Sequence, residues 1–286
     1  MEKTGMVLEG GGVRGIYTAG VLDFFLDKNV EVDAVFGVSA GSLHGVNYLS
    51  RQKKRSYRVA TNYLNDKRYL SVHSLIRTGD IFGAEFCYRT IPDELDLYDY
   101  EAYCENKAKL YATVSNLETG QAEYIRCNDI RTDIEYVRAS ASLPLLSRTV
   151  EIHGKKYLDG GICDSIPLRA AQMMGYKRNI VILTRVSDYQ KKPNKMMPVI
   201  RRKYRAYPQF VEAVKNRHVV YNETLKLIQE EEEKGNCFVI RPSQNLEVSR
   251  LEKDKSKIER LYELGIKDAK EQYEKLCNFL GQEPGK

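Results

Sequence analysis

Three short runs of residues have types and spacings suited to chemistry. The first is Gly37-Val38-Ser39-Ala40-Gly41, a G-x-S-x-G pentapeptide. Where a strand turns sharply into a helix, such a serine is exposed at the tip of the turn as a nucleophile. Its small neighbours two positions away let strand and helix pass closely. The same five residues also fit a plain glycine-rich turn. A serine nucleophile needs a base, most often a histidine held by an acid. The four histidines are His44, His73, His153 and His218. His44 follows Ser39 by about one helical turn; His73 and His153 fall in turn-like sequence and His218 in a late helical stretch. Each reads as a surface residue.

The second run is Leu158-Asp159-Gly160-Gly161. Two glycines after the aspartate leave room for its carboxylate beside another strand's elbow, although Asp-Gly turns are common without any catalytic role. The third is Gly10-Gly11-Gly12-Val13-Arg14-Gly15. It fits the G-x-G-x-x-G of dinucleotide-binding loops. Such a loop calls for an acidic residue at the end of the second strand, where this chain carries the serine pentapeptide instead; Asp33 stands at the beginning. The other use of the loop is an oxyanion hole, in which glycines let consecutive N–H groups converge and the following helix adds its positive end. Arg14 either adds charge there or anchors the loop.

The elements that must position these runs are legible from hydrophobic pattern. Residues 6–9 predict a short buried strand, 16–26 a helix, 33–38 a second buried strand and 40–49 a second helix. Strand, loop, helix, repeated, opens a parallel α/β sheet. Residues 77–99, with Gly79, Gly83 and Pro92, read as a loop. Residues 110–115 and 122–126 predict a hairpin, 133–140 a helix, and 149–152 and 156–158 strands flanking a turn at His153-Gly154. Further on, 167–174 predicts a helix with proline in its first turn, 179–184 a buried strand, 209–233 a long helix, 237–240 a strand and 255–280 a second long helix.

Together, in this order and in these contexts, GGGVRG, GVSAG and DGG strongly resemble the patatin-like phospholipase family. The resemblance covers residues 5–185, the expected catalytic domain. It implies a patatin-like three-layer α/β fold, a central mostly parallel sheet flanked by helices. Residues 186–286 are expected to add a basic segment and a helical C-terminal extension packed on the same domain. It implies Ser39 as nucleophile and Asp159 as its base. The oxyanion loop would comprise Gly10, Gly11, Gly12, Val13 and Arg14, with the amides of Gly11, Gly12 and Val13 as donors. Gly15, Gly37, Gly41, Gly160 and Gly161 would support the turns. The block at residues 139–144, ASASLP, also looks like a family segment and is assigned to shaping the pocket. The implied activity is a lipid acyl hydrolase of phospholipase A type, cleaving carboxylic esters through an acyl-serine. The same dyad would serve an esterase, thioesterase or transacylase, and a non-catalytic nucleotide- or lipid-binding protein is a more distant alternative.

Composition bounds the rest. The formal net charge of +6 favours anionic surfaces. Residues 189–211 contain no acid but hold Lys191, Lys192, Lys195, Arg201, Arg202, Lys203 and Arg205. They read as a solvated loop or as a contact with an anionic membrane, and so do residues 51–58. The expected partner is a lipid or acyl ester, not nucleic acid. None of the six cysteines forms a C-x-x-C pair, so zinc and thioredoxin-like readings lack support. Residues 1–9 lack a signal pattern, and a cytoplasmic setting with reduced thiols is expected. No apolar run approaches the ~20 residues of a membrane span, so membrane contact is expected to be peripheral. No HExxH, EF-hand or Walker sequence occurs; no metal or cofactor is expected, and EDTA should be without effect.

Overall fold

The computed structural model describes residues 2–283. In chain order it contains β1 (Thr4–Leu8), α1 (Ile16–Asp27), β2 (Ala34–Val38), α2 (Ala40–Leu49), α3 (Arg55–Asn62), α4 (Val72–Thr78) and a π-helix (Phe86–Leu95). Then follow α5 (Tyr100–Glu105), β3 (Lys109–Asn116), β4 (Ala122–Cys127), α6 (Ile130–Ser140), β5 (Val150–Ile152), β6 (Lys155–Asp159) and α7 (Leu168–Met173). The remainder is β7 (Arg178–Ile182), α8 (Met197–Lys203), α9 (Pro208–Glu233), β8 (Cys237–Ile240), α10 (Lys255–Glu271) and α11 (Tyr273–Leu280).

All eight strands join one sheet in the order β5-β6-β3-β2-β1-β7-β8, with β4 paired to β3. The central ladders, β3 to β2, β2 to β1, β1 to β7 and β7 to β8, are parallel. Parallel strands are covered on both faces, which explains their near-continuous apolar sequence. Strand alternation then divides the core into two layers. Met6 and Leu8 of β1 pack with α1, α2 and α10 on one face, while Val7 packs with α7 and α9 on the other. The result is a three-layer α/β fold with C-terminal helices.

The C-terminal helices are tied to the first one. Tyr17 Oη of α1 donates to Asp268 Oδ2 of α10 (3.0 Å), and Tyr262 Oη of α10 donates to Asp23 Oδ2 of α1 (2.7 Å). All four side chains are buried, and the reciprocal bonds satisfy polar groups that the helix contact removes from water.

Several sequence expectations need correction. The segment read as a loop at 77–99 contains the π-helix, in which Asp96 N–H reaches Ile91 O. Its wider turn gives the Pro92 ring room that an α-helix would deny. The helix expected over 255–280 is two helices, broken at Gln272. The bend keeps Leu276 in the same core as Leu264 and Ala269. The basic segment at 51–58 is an exposed turn that runs into α3, and four of its five cations are paired. Arg55 and Arg58 both pair with Asp96, Arg51 with Glu31 and Lys53 with Asp27. Residues 189–211 are not all loop, since they include α8 and the start of α9. Among the described residues no helix is long and apolar enough to cross a membrane.

Candidate active site

Sheet register brings the serine and the aspartate together. A strand has two edges, and β4 occupies one edge of β3 along residues 110–115. The other edge is shared by β2, paired with residues 109–113, and β6, paired with residues 114–116. β2 runs parallel to β3 and β6 antiparallel, so their C-terminal ends meet, Val38 opposite Thr113 and Asp159 opposite Val114. Ser39 is the next residue after Val38. Its Oγ donates to Asp159 Oδ2 at 2.7 Å.

Ser39 sits between β2 and α2 with φ 55° and ψ −122°, a backbone conformation that side-chain-bearing residues rarely adopt. The elbow is held by packing and by a hydrogen bond. A Cβ on Gly41 would fall 2.4 Å from Leu8 O, so only glycine lets α2 lie this close to β1. Gly37 faces the Ser42 backbone in the same way. Ser39 N–H donates to Ser140 Oγ (2.9 Å), and Ser140 Oγ also lies 3.0 Å from Ser42 Oγ.

Asp159 is 2% exposed. Its second oxygen, Oδ1, accepts from Gly161 N–H (2.8 Å). Ser115 Oγ donates to its carbonyl, and its own N–H reaches Ser142 O, each at 2.8 Å. A Cβ on Gly160 would lie 2.0 Å from Thr113 O, so the turn after Asp159 is pressed directly onto β3. Desolvation raises the Asp159 pKa above the usual carboxylate value, against the opposing pull of Arg217, the Ser39 hydroxyl and the Gly161 amide.

The glycine loop lies against the elbow. A Cβ on Gly10 would be 3.1 Å from Ser39 Cβ, and Gly15 packs on Ala40 of α2. The N–H groups of Gly11 and Gly12 have no acceptor among the described residues. Val13 departs from expectation: its N–H donates to Arg250 O at 3.0 Å, so this amide is engaged by the chain itself. Arg14 is buried and makes no ion pair among the described residues, so it does not anchor the loop by one. Desolvation, with Arg185 and Arg250 nearby, lowers its pKa to about 10.

No histidine bonds to Ser39. His44 is not a surface residue: it is half-buried with Nδ1 3.0 Å from Ser56 Oγ, and burial lowers its pKa to about 4. A cavity of about 180 Å³ adjoins Ser39. Its walls include Ile16, Leu43, Leu64, Phe82, Ile91 and Ile134. Ala141 and Leu143 line it as well, so the ASASLP block both shapes the cavity and, through Ser140, holds the elbow. Among the described residues no cluster of three or more His, Cys, Asp or Glu side chains is placed to hold a metal ion. Sequence reasoning missed Ser140, Ser115, Arg217 and Arg250 as neighbours of the dyad. Only Ser140 lay in a segment already singled out; the others follow from strand pairing and from the packing of α9 and the loop before α10.

Two family models match separate parts of the chain. Residues 207–281 match a domain of unknown function, DUF6363. A stretch of 185 residues is 28% identical to the uncharacterized protein YjjU of Escherichia coli, covering 64% of this chain and 52% of that protein. Lysophospholipase nte1 of Emericella nidulans is 30% identical over 186 residues, 61% of this chain and 11% of that protein. Lysophospholipase NTE1 of Saccharomyces cerevisiae is 27% identical over 187 residues, 61% of this chain and 10% of that protein. The chain therefore matches about half of the first relative's length and about a tenth of the others'. The crystal structure of VipD from Legionella pneumophila superposes with a TM-score of 0.47 at 13% identity, covering 96% of this chain and 67% of that one. Residues 6–171, more than half of the chain, match the Patatin-like phospholipase family, and the chain belongs to that family.

Proposed function

We propose that this protein is a lipid acyl hydrolase of phospholipase A type, with Ser39 as nucleophile and Asp159 as its base. The observation that carries the reading is the 2.7 Å bond to a buried carboxylate from the strained Ser39, which lines an apolar cavity. The cavity's aliphatic and aromatic walls suit an acyl chain, and two of the relatives named above are called lysophospholipases.

In the proposed reaction Asp159 takes the Ser39 proton as Oγ attacks the ester carbonyl. The oxyanion faces the unengaged amides of Gly11 and Gly12; one such donor is worth about 3 kcal/mol in comparable acyl-transfer sites. Asp159 returns the proton to the leaving alcohol, and the acyl group remains on Ser39. Water then gives a proton to Asp159 and attacks the acyl-serine; the fatty acid departs and Ser39 recovers its proton. An aspartate is a weak base at its ordinary pKa of about 3.9. Burial strengthens it, and the oxyanion loop supplies the larger share of the rate.

Labelling with a fluorophosphonate probe tests the reading. Wild type should label, Ser39→Ala should not, and wild type should release fatty acid from lysophosphatidylcholine. A folded wild type that neither labels nor hydrolyses would refute the assignment.

A further inference from the structure

Beside the dyad lies a group of cations that form no ion pair among the described residues. Arg14 comes from the glycine loop, Arg185 and Lys191 follow β7, Arg217 is on α9, and Arg250 is in the loop before α10. They sense one another electrostatically: Arg14 feels Arg185 and Arg250, while Lys191 feels Arg217, Arg250 and Arg14. Among the described residues none of the five takes part in an ion pair, although ion pairs form in many other places. The Nε atoms of Arg14 and Arg217 are inaccessible and have no hydrogen-bond partner.

The two acids nearby offset this charge only in part and from beyond ion-pair distance. Glu9 is committed to neutral donors: Thr184 N–H (2.6 Å), Thr184 Oγ1 (3.0 Å) and Tyr221 Oη (2.7 Å). Asp159 is held by Ser39 and Gly161 and lies outside ion-pair reach of Arg217. Two of these cations lie over tyrosine rings. Lys191 Nζ stands 4.0 Å from the Tyr221 ring centre, and the Arg185 guanidinium 4.4 Å from that of Tyr189.

The cluster touches the reaction centre. Arg217 Nη2 lies 3.1 Å from the point a Gly161 Cβ would occupy, and Asp159 Oδ1 lies 3.0 Å from the same point. The Arg250 carbonyl is bonded to Val13 of the glycine loop. None of the five cations lines the apolar cavity. The apolar cavity therefore adjoins Ser39 and the cationic group adjoins Asp159, as two separate regions.

We propose that Lys191, Arg217 and Arg250 form a phosphate subsite that receives the phosphate of an acyl-ester substrate while its acyl chain enters the apolar cavity. This rests on the Ser39–Asp159 reading and names the residues that would make that site prefer phosphate-bearing lipid esters to neutral ones. The phosphate of a glycerophospholipid is only a few bonds from its ester, so it must sit close to Ser39. Guanidinium and ammonium groups are the donors that bind phosphate most strongly. Residues of the C-terminal helical region would then set specificity for a site whose chemistry lies in the N-terminal part. Lys191 adds a signature. Desolvation first, then Arg217, Arg250 and Arg14, lower its pKa to about 6, and Glu9 only partly opposes them. An arriving phosphate raises that pKa, so binding at pH 7.5 should take up a proton.

The test has two arms. In the first, kcat/KM is measured for lysophosphatidic acid and for the monoacylglycerol of the same chain, on wild type and on Lys191→Gln and Arg217→Gln proteins checked for folding by thermal melting. The ratio of the two values should fall tenfold or more in each variant. In the second, glycerol 3-phosphate and inorganic phosphate are titrated calorimetrically into Ser39→Ala protein in buffers of different ionisation enthalpy. Binding with proton uptake, weakened tenfold or more by Lys191→Gln in the Ser39→Ala background, supports the subsite without requiring turnover. If the second arm succeeds and the ratio in the first does not move, the anion taken is free phosphate rather than the headgroup, and the substrate assignment is overturned. No saturable binding together with an unchanged ratio overturns the subsite itself. Absent turnover of both esters, with binding intact, counts against the Ser39 reading alone.

Discussion

Ser39 Oγ and Asp159 Oδ2 are 2.7 Å apart although 120 positions separate them in the chain. The contact exists because β2 and β6 share one edge of β3 and end against each other. Neither residue would be near the other if β6 slid by two positions along β3.

Replacing the carboxylate tests the base. Asp159→Asn keeps the size of the side chain and removes its basicity. General-base assistance contributes about 10²–10⁴-fold, so turnover of a soluble ester should fall by about 100-fold or more. Steady-state kinetics on protein with an unchanged melting temperature checks this; normal turnover would discard Asp159 as the base.

The pH profile has a definite sign. In the proposed mechanism the ionised carboxylate is the active form, and burial raises its pKa above the ordinary value. Activity should therefore rise with pH through that raised pKa and be lost below it, with the acid limb above about pH 4. Measuring kcat/KM for a soluble neutral ester from pH 4 to 8 locates the limb. A limb at or below the ordinary aspartate value contradicts the burial argument.

Ser140 is a positioning residue. It accepts the Ser39 N–H and lies within hydrogen-bonding distance of Ser42 Oγ. Ser140→Ala leaves a buried amide unpaired, a loss of about 1–3 kcal/mol. We expect slower fluorophosphonate labelling together with a lower melting temperature. Unchanged labelling would mean that the elbow is held by packing alone.

Gly41→Ala should damage the elbow through its backbone contact. The added methyl would fall 2.4 Å from Leu8 O, and neither strand nor helix can yield without moving the core. Overpacking of this kind costs about 1–3 kcal/mol. Chemical denaturation should show it, and a wild-type midpoint would refute the contact.

Asp268→Ala probes the hold of α10 on α1. Asp268 accepts from Tyr17 Oη, Ser243 N–H and Ser243 Oγ. Removing it strands the buried Tyr17 hydroxyl, at about 1–3 kcal/mol when left unsatisfied. For a chain of this size each kcal/mol lowers the melting temperature by about 2–4 °C. No shift would mean that water replaces the carboxylate at little cost.

Much of the fold was legible because its signals are local. The apolar runs of β1, β2 and β7 and the boundaries of α2 and β8 follow from composition and turn residues within a few positions. The π-helix was not legible, because Pro92 and the flanking glycines resemble loop sequence and only tertiary packing selects the wider turn. The break at Gln272 was hidden for a similar reason: no glycine or proline marks it, and burial of Leu276 decides it.

The sequence by itself determined the family resemblance, the strand-turn-helix around Ser39 and the glycines that its close approaches require. These depend on backbone conformation and side-chain size at neighbouring positions. Only the tertiary structure decided that Asp159 meets Ser39, that Arg250 engages the Val13 amide, and that five cations from distant segments gather beside the dyad without an ion pair among the described residues. Those relationships depend on sheet order and helix docking, which juxtapose residues through space that no local spacing in the chain records.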